Sequence, residues 1–399
     1  MKRPSLLVIF LTVFIDLIGF GIVMPLLPLY SQRFGASGVT IGLIIASFSV
    51  MQFLFAPCWG RLSDRIGRRP VLLISLAGGA IAYGIFTWAS ALGGRHGLWL
   101  LLVSRSFAGA CGGNINVVQA YIADITPPEQ RSARMGLVGM AFGLGFIFGP
   151  LLGGLSRPYG LAAPGWVAVA LCTANFLLAC LVLPESRRPS SDHVPARPRV
   201  SQWTHTLAQP SVGLLIGLFF LATFCFACYE TTLALLVKHT FHFDEVHVSY
   251  LFAFSGVLSA LIQGGLIRRL VRRLGESRLI AVSFAVIGAS LIGLPFARSL
   301  PALLGALALL ALGSGINRPP IFGLISMATP EREQGANLGV AQSAGSLARI
   351  LGPLFAGGLF EWHPALPYLV CGGVALASGW LASHRLRHTF LRRDSPPTA

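Results

Sequence analysis

TPPEQRSARMGLVGMAFGLGFIFGPLLGG, residues 126–154, and TPEREQGANLGVAQSAGSLARILGPLFAGG, residues 329–358, are one pattern written twice. Gly149-Pro150 recurs as Gly352-Pro353, and Gly153-Gly154 as Gly357-Gly358. A second pair of segments echoes in the same order. GRLSDRIGRRP (60–70) returns as RRLVRRLGESR (268–278), with Arg61, Leu62, Arg65 and Gly67 matching Arg269, Leu270, Arg273 and Gly275 at an offset of 208. Asp64 has become Arg272. Gly and Pro are common in apolar helices, but matching order and context point to an internal repeat of a helical unit.

What lies around the repeats sets the environment. The 399 residues are 54% apolar, with only 11% Asp, Glu, Lys and Arg, whereas a soluble domain averages roughly 25% charged. Such a chain cannot clothe a soluble enzyme of this size. It is too apolar to be disordered, and it lacks the polar surface of a nucleic-acid binder. Apolar runs lie near 5–30, 39–58, 71–91, 98–123, 135–155, 164–183, 211–236, 247–266, 279–296, 301–325, 338–360 and 365–384. About 20 residues rising ~1.5 Å each cross a hydrocarbon core of about 30 Å. Within lipid the backbone must satisfy itself, and the strict alternation of a barrel strand is absent, so these runs predict helices. The opening MKRPSLLVIFLTVFIDLIGFGIVMPLLP mimics a signal peptide. Its length, Asp16 and the lack of a small-residue cleavage site make it the first span instead. The expectation is an all-α membrane protein of twelve transmembrane helices in two homologous six-helix bundles. Residues 1–183 form the first bundle, and 184–210, rich in Pro, Arg and Ser, form a cytoplasmic linker. Residues 211–399 form the second bundle and a short tail.

The formal charge is +16. Twenty-two of the 30 Lys and Arg fall at the N-terminus, in loops after even-numbered spans and in the tail, and five in the opposite loops. By the positive-inside rule both termini are cytoplasmic, in a plasma (inner) membrane whose anionic lipids attract the basic face. Arg105, Arg318 and Arg349 fall within spans. The seven Cys are scattered in or beside spans and read as small apolar helix residues. HTFHFDEVH (239–247) reads as an external loop leading into a helix, and no metal site is expected.

Some residues resist the membrane. An ionised carboxylate facing lipid costs several kcal/mol, so Asp16 must face a cavity, find a partner or hold a proton. Alternatively it caps a neighbouring group. Gly19, Gly21, Pro25 and Pro28 follow it in a helix that others can approach closely. Glu230, in FCFACYETTLALLV, is the other acid well inside a span, or else sits nearer the external mouth. Arg105 needs a counter-charge or carbonyls. Asn116 and Gln119 share a helix face beyond Asn114. These three, with Gln52 and Gln263, suit either polar groups of a substrate or hydrogen bonds between helices. Arg349, beside the second Gly-Pro pair, suits a hydrogen bond at a domain contact. Gly60 and Gly67 predict a tight turn around Asp64, Arg65 and Arg68. Gly145, Gly149 and Gly153 recur every four residues and leave one helix face bare, with Pro150 able to bend it.

Four of these segments carry a resemblance. DLIGFGIVMPLLP (16–28), GRLSDRIGRRP, Arg105 followed by Gly109, and GFIFGPLLGG (145–154) resemble the major facilitator superfamily over essentially the whole chain. Within it the chain is similar to the twelve-span drug/proton antiporter group, and most to tetracycline-efflux carriers. The resemblance implies alternating access around a midplane site, driven by a proton gradient without a cofactor, in a monomer. It makes Asp16, Glu230 and Arg105 coupling residues. Gly60, Asp64, Arg65, Gly67 and Arg68 become a latch between the halves. Gly145, Gly149, Pro150, Gly153 and Gly154 become an antiporter signature at their contact. Where tetracycline carriers place further intramembrane charge, this chain has Ala82, Ser259 and Ile287. The transporter reading carries over, and that substrate does not. Efflux of an amphipathic, cationic compound is the leading expectation, with transport of a sugar, peptide or other metabolite as the second. The near absence of mid-span Lys, with few Arg, argues against a dedicated organic-anion site. An enzyme is disfavoured: GxxxxGK[ST], HExxH and a GxSxG elbow are all missing, and with the first goes direct drive by ATP.

Overall fold

A computed structural model describes residues 6–127, 131–186, 199–330 and 333–390. The middle of the expected linker (187–198), the tail beyond 390 and the loop residues 128–130 and 331–332 of the two repeats lie outside the described residues. The described chain is helical throughout: α1 (Leu6–Arg33), α2 (Gly38–Ile66), α3 (Arg68–Leu92), α4 (Gly94–Cys111), α5 (Ile115–Asp124), α6 (Arg131–Ser156), α7 (Ala163–Val182), α8 (Arg199–Ala208), α9 (Pro210–Phe241), α10 (Glu245–Leu261), α11 (Ile267–Leu274), α12 (Glu276–Gly293), α13 (Leu300–Ala328), α14 (Gln334–Trp362) and α15 (Leu366–Phe390).

Nine helices among the described residues are long and apolar enough to cross a membrane. Three expected spans differ from them in instructive ways. The run near 98–123 is broken by one 3-10 turn, Gly112–Asn114, between α4 and α5. The run near 247–266 ends in a π turn, Ile262–Leu266, before the arginine-rich α11. The run near 338–360 is a continuous helix, α14, diluted by Gln, Ser, Asn, Gly and Arg349.

Local chemistry sets the helix ends. Ser37 caps α2 by accepting from the Thr40 N–H, and Ser299 caps α13 by accepting from Ala302. Gly67, with φ +101°, is the turn between α2 and α3. Gly60, expected to share that turn, lies inside α2, which runs on to Ile66, and nothing crowds it. The turn therefore rests on Gly67 alone.

The contacts group the chain into two units, Met1–Ser191 with Leu233–Val257, and Asp192–Thr232 with Leu258–Ala399. The first has an apolar core of Ile9, Val13, Leu17, Leu72, Leu76, Val118 and neighbours from α1, α3, α5, α6 and α7. In the second, Ile262, Leu279 and Ile316 form a smaller cluster. Here the end of the expected linker is ordered as α8. Thr206 donates to Asn337 Oδ1 (2.6 Å), and Asn337 donates in turn to Thr329 (3.2 Å), tying α8 to the start of α14.

Candidate functional site

The broken helix α4–α5 organises the polar interior of the first unit. A 3-10 turn leaves carbonyls without their helical donors. Side chains of two neighbouring helices answer them. Trp59 Nε1 donates to Ala110 O (2.5 Å), Ser75 Oγ to Cys111 O (2.6 Å) and Gln52 Nε2 to Gly112 O (3.0 Å). Asn114 closes the set by donating to Ser75 Oγ (2.6 Å). Gln52 and Asn114 thus make hydrogen bonds between helices. Asn116 is exposed and Gln119 partly so.

About two turns before the break, Arg105 is buried, 2% exposed. Its guanidinium lies over the Phe48 ring (4.7 Å to the centroid) and the Phe20 ring (5.5 Å). Planar, weakly hydrated guanidinium tolerates such an aromatic setting better than an ammonium would. Asp16 stands on α1 against α3, where a Cβ added to Gly79 would sit 3.6 Å from its Oδ1. It makes no hydrogen bond or ion pair with another described residue. Tyr83, on α3, lies within electrostatic range of both Asp16 and Arg105. The structure therefore brings two of the three expected coupling residues into one neighbourhood. Tyr83 and the sulfur of Cys172 join them at the Gly19 face of α1. Nothing in the sequence around Tyr83 marks it, because its placement depends on α3 turning that face to α1.

The third, Glu230, belongs to the second unit and is 9% exposed. Arg349 lies within electrostatic range of it, as of Arg318. Arg349 also donates to Ser346 Oγ on its own helix (3.4 Å). These contacts lie inside the second unit. Arg318, read from the sequence only as lying within a span, sits over the rings of Phe322 (5.2 Å) and Phe219 (5.8 Å). An Arg over two Phe rings therefore occurs in each unit. So does an Asn–Ser bond: Asn317 donates to Ser283 Oγ (2.7 Å) as Asn114 does to Ser75. Ser75 and Ser283 are separated by the same 208 residues as the two loop segments. Gln263 lies exposed in the π turn. Ala82 and Ile287 are fully packed apolar residues, and Ser259 is partly buried.

The glycine-rich helix α6 uses two faces. A Cβ on Gly149 would lie 2.6 Å from the Gly21 backbone, one on Gly145 2.8 Å from Leu17, and one on Gly153 3.1 Å from Ile22 O. This face packs on α1 within the same bundle, which corrects the expected placement of these three glycines at the contact between halves. The adjoining face meets α10, where Gly154 lies against Ser249 and Tyr250, and Gly256 against Phe146 and Ile147. In the second repeat Gly352 approaches Ala227 and Phe224 of α9, as Gly149 approaches α1.

In the loop segment, Arg68 joins two acids, with Nη1 to Asp64 Oδ1 (2.6 Å) and Nε to Asp124 Oδ2 (3.2 Å). It also donates to Ser63 Oγ (2.7 Å). Arg65 is exposed. Glu185 accepts from the backbone N–H groups of Arg68 (2.9 Å) and Arg69 (3.1 Å), capping α3. Its carboxylate fills the space beside Gly67, so a side chain there would meet it. Asp124 and Glu185 escaped the sequence reading because they lie 56 or more residues away from Arg68.

At the start of α10, Glu245 lies between Arg33 (3.7 Å) and Arg157 (3.6 Å). Beside it Asp244 accepts from the Val246 and His247 N–H groups and pairs with the His247 ring (2.6 Å). Burial alone would raise the Asp244 carboxyl, but these hydrogen bonds and the His247 charge hold it below its ordinary range.

The chain is similar to known proteins along most of its length. A family model described as Major Facilitator Superfamily matches residues 9–353 and 265–398. The tetracycline resistance protein, class E, of Escherichia coli is 33% identical over 373 residues, covering 90% of each chain. The human major facilitator superfamily domain-containing protein 10 is 30% identical over 446 residues, covering 99% of this chain and 94% of that one. A crystal structure titled as the human organic anion transporter MFSD10 (TETRAN) superposes with a TM-score of 0.71 at 26% identity, covering 95% of this chain and all of that one. The nucleoside transporter NupG superposes with a TM-score of 0.78 at 14% identity, a likeness of fold alone.

Proposed function

The chain belongs to the major facilitator superfamily, and from that membership we propose that it exports an amphipathic, cationic compound in exchange for protons. It is a multi-pass membrane transporter. The proposal adds the direction, the coupling ion and the substrate class. It also adds an inner-membrane location with both termini cytoplasmic, a monomeric state and two six-helix halves (1–183 and 211–399).

One observation carries it: Asp16 lacks a partner among the described residues and shares its surroundings with Tyr83, Arg105 and Phe rings. A lone carboxyl in such a place is neutral when it holds a proton. It needs a cation's charge when it does not, and that alternation is exchange. The tetracycline resistance relatives support efflux as the direction. The apolar Ala82 and Ile287 speak against binding a metal–tetracycline chelate.

The test is a drug-susceptibility panel on a pump-deficient host, followed by inverted vesicles carrying the purified chain. A transported cation should release protons from acidified vesicles. Uptake without proton movement would refute exchange. A second reading has its own support: Arg105, Arg318 and Arg349 within spans outnumber the two acids well inside spans, Asp16 and Glu230, and a relative's structure is titled an organic anion transporter. Organic anions therefore belong in the panel, and resistance to an anion alone would favour that reading.

The loop network gives a second expectation. Asp64 is exposed, and exposed ion pairs contribute about 0–1 kcal/mol. Asp64→Ala should thus leave thermal melting nearly unchanged while slowing transport severalfold, because Arg68 loses one of its two acids. Full transport rates in that variant would remove the latch role.

A further inference from the structure

We propose that the arginine face of α11 is a docking surface for anionic phospholipid headgroups. The inference rests on the membrane placement of the chain and not on the proposed proton exchange.

The helix reads IRRLVRRL, and its residues separate cleanly. Ile267, Leu270 and Val271 pack against the cluster of Ile262, Leu279 and Ile316. Spacings of three and four put these on one side. Arg269, Arg272 and Arg273 fall on the other side and are exposed, as is Arg278 just beyond. These four make no hydrogen bond or ion pair with another described residue.

In the first repeat the matching Arg61 and Arg65 are likewise exposed and make no ion pair with another described residue, but an acid, Asp64, stands between them in place of Arg272. There Asp64, Asp124 and Glu185 answer Arg68 and Arg69. In the second copy Arg272 stands in place of Asp64, and Glu276 in place of Arg68. No ion pair joins this exchanged pair across the Gly275 turn between α11 and α12. Glu276 turns instead to α13, where a Cβ on Gly323 would lie 2.8 Å from its Oε1. Arg269 therefore faces Arg272 and Arg273 at spacings of three and four, which destabilises a helix unless an anion is present.

Position identifies the anion. α11 joins the apolar α10 to the membrane helix α12, so its arginines stand at the edge of the bilayer. Guanidinium groups fit phosphate oxygens in paired hydrogen bonds, and juxtamembrane arginine clusters attract anionic lipids. A phospholipid at that edge also covers the flanking apolar surface, which free phosphate cannot do.

The test uses the full chain in neutral detergent, titrated with phosphatidylglycerol and with phosphatidylcholine, with bound lipid counted by native mass spectrometry. The variant carries Arg269→Gln, Arg272→Gln and Arg273→Gln. A control of equal charge carries Arg387→Gln at the end of α15 and Arg392→Gln and Arg393→Gln in the tail. The wild-type chain should retain phosphatidylglycerol over phosphatidylcholine. The α11 variant should bind phosphatidylglycerol about 100-fold more weakly, and the tail control should match wild type. If the triple variant fails to fold, Arg272→Gln alone should weaken binding about fivefold. Equal loss in both triple variants, undiminished binding in the α11 variant, or displacement of the lipid by inorganic phosphate at matched concentration would overturn the proposal.

Discussion

Asp16→Asn should leave a folded protein whose substrate movement no longer carries protons. Asparagine matches aspartate in size, and Asp16 makes no described hydrogen bond or ion pair that the change would break. What disappears is the ionisable group. A charged Asp at the centre of a membrane helix costs about 3 kcal/mol on insertion scales, and protonation or a bound cation removes that cost. The amide has no such cycle. Substrate-driven proton release from inverted vesicles should therefore fall to background, while exchange of labelled for unlabelled substrate continues. Tyr83→Phe should reduce the coupled rate more mildly, since it removes a hydroxyl within range of both Asp16 and Arg105 but no charge. If Asp16→Asn retains normal proton release, the coupling group lies elsewhere, and Glu230 beside Arg349 is the next to test.

How far the sequence reaches differs between the scaffold and this site. Lipid imposes helices on any long apolar run, so α1, α2, α3 and their counterparts follow from length and composition. The repeats announce themselves because backbone contacts such as Gly149 on Gly21 admit only glycine. The break at Gly112–Asn114 is different. Gly112-Gly113 in an apolar run looks like one more packing surface, and the helix opens there because Trp59, Ser75 and Gln52 stand ready to bind the freed carbonyls. Those donors belong to α2 and α3, so their role depends on tertiary contacts that no local pattern encodes. The same holds for Glu185 and Asp124, which complete the Arg68 network from other helices. Charge within a span was legible as a demand for a partner. Which partner answered it was not: Arg105 received two aromatic rings, Glu230 an arginine.

Gly149→Ala should be among the most damaging single-methyl additions in the molecule. A Cβ there would lie 2.6 Å from Gly21 Cα and C, and 2.8 Å from Ile18 O. All three are backbone atoms, so no rotamer change relieves the overlap, and α1 must move away from α6. Overpacking of this kind costs typically 1–3 kcal/mol, against a total stability of about 5–15 kcal/mol. Gly149→Leu should yield little folded protein. The helix supplies its own controls, since Gly139 and Gly143 lie on the same helix with nothing within 4 Å of the added carbon. Alanine at either should be neutral or stabilise by about 0.5–1 kcal/mol through helix propensity. Gly352→Ala should fall between, because its nearest contact is the Ala227 methyl at 2.9 Å and the backbone lies farther off, at Phe224 O, 3.2 Å. Thermal melting of the purified variants orders them directly. A Gly149→Ala protein that melts with Gly143→Ala would mean that α1 and α6 do not meet through their backbones. Moreover, because Asp16 sits one turn from Gly19 and Gly21 on the same helix, separating α1 from α6 should also shift the carboxyl relative to Tyr83. Any Gly149→Ala protein that still folds should therefore lose coupled transport by a larger factor than its loss of folded yield.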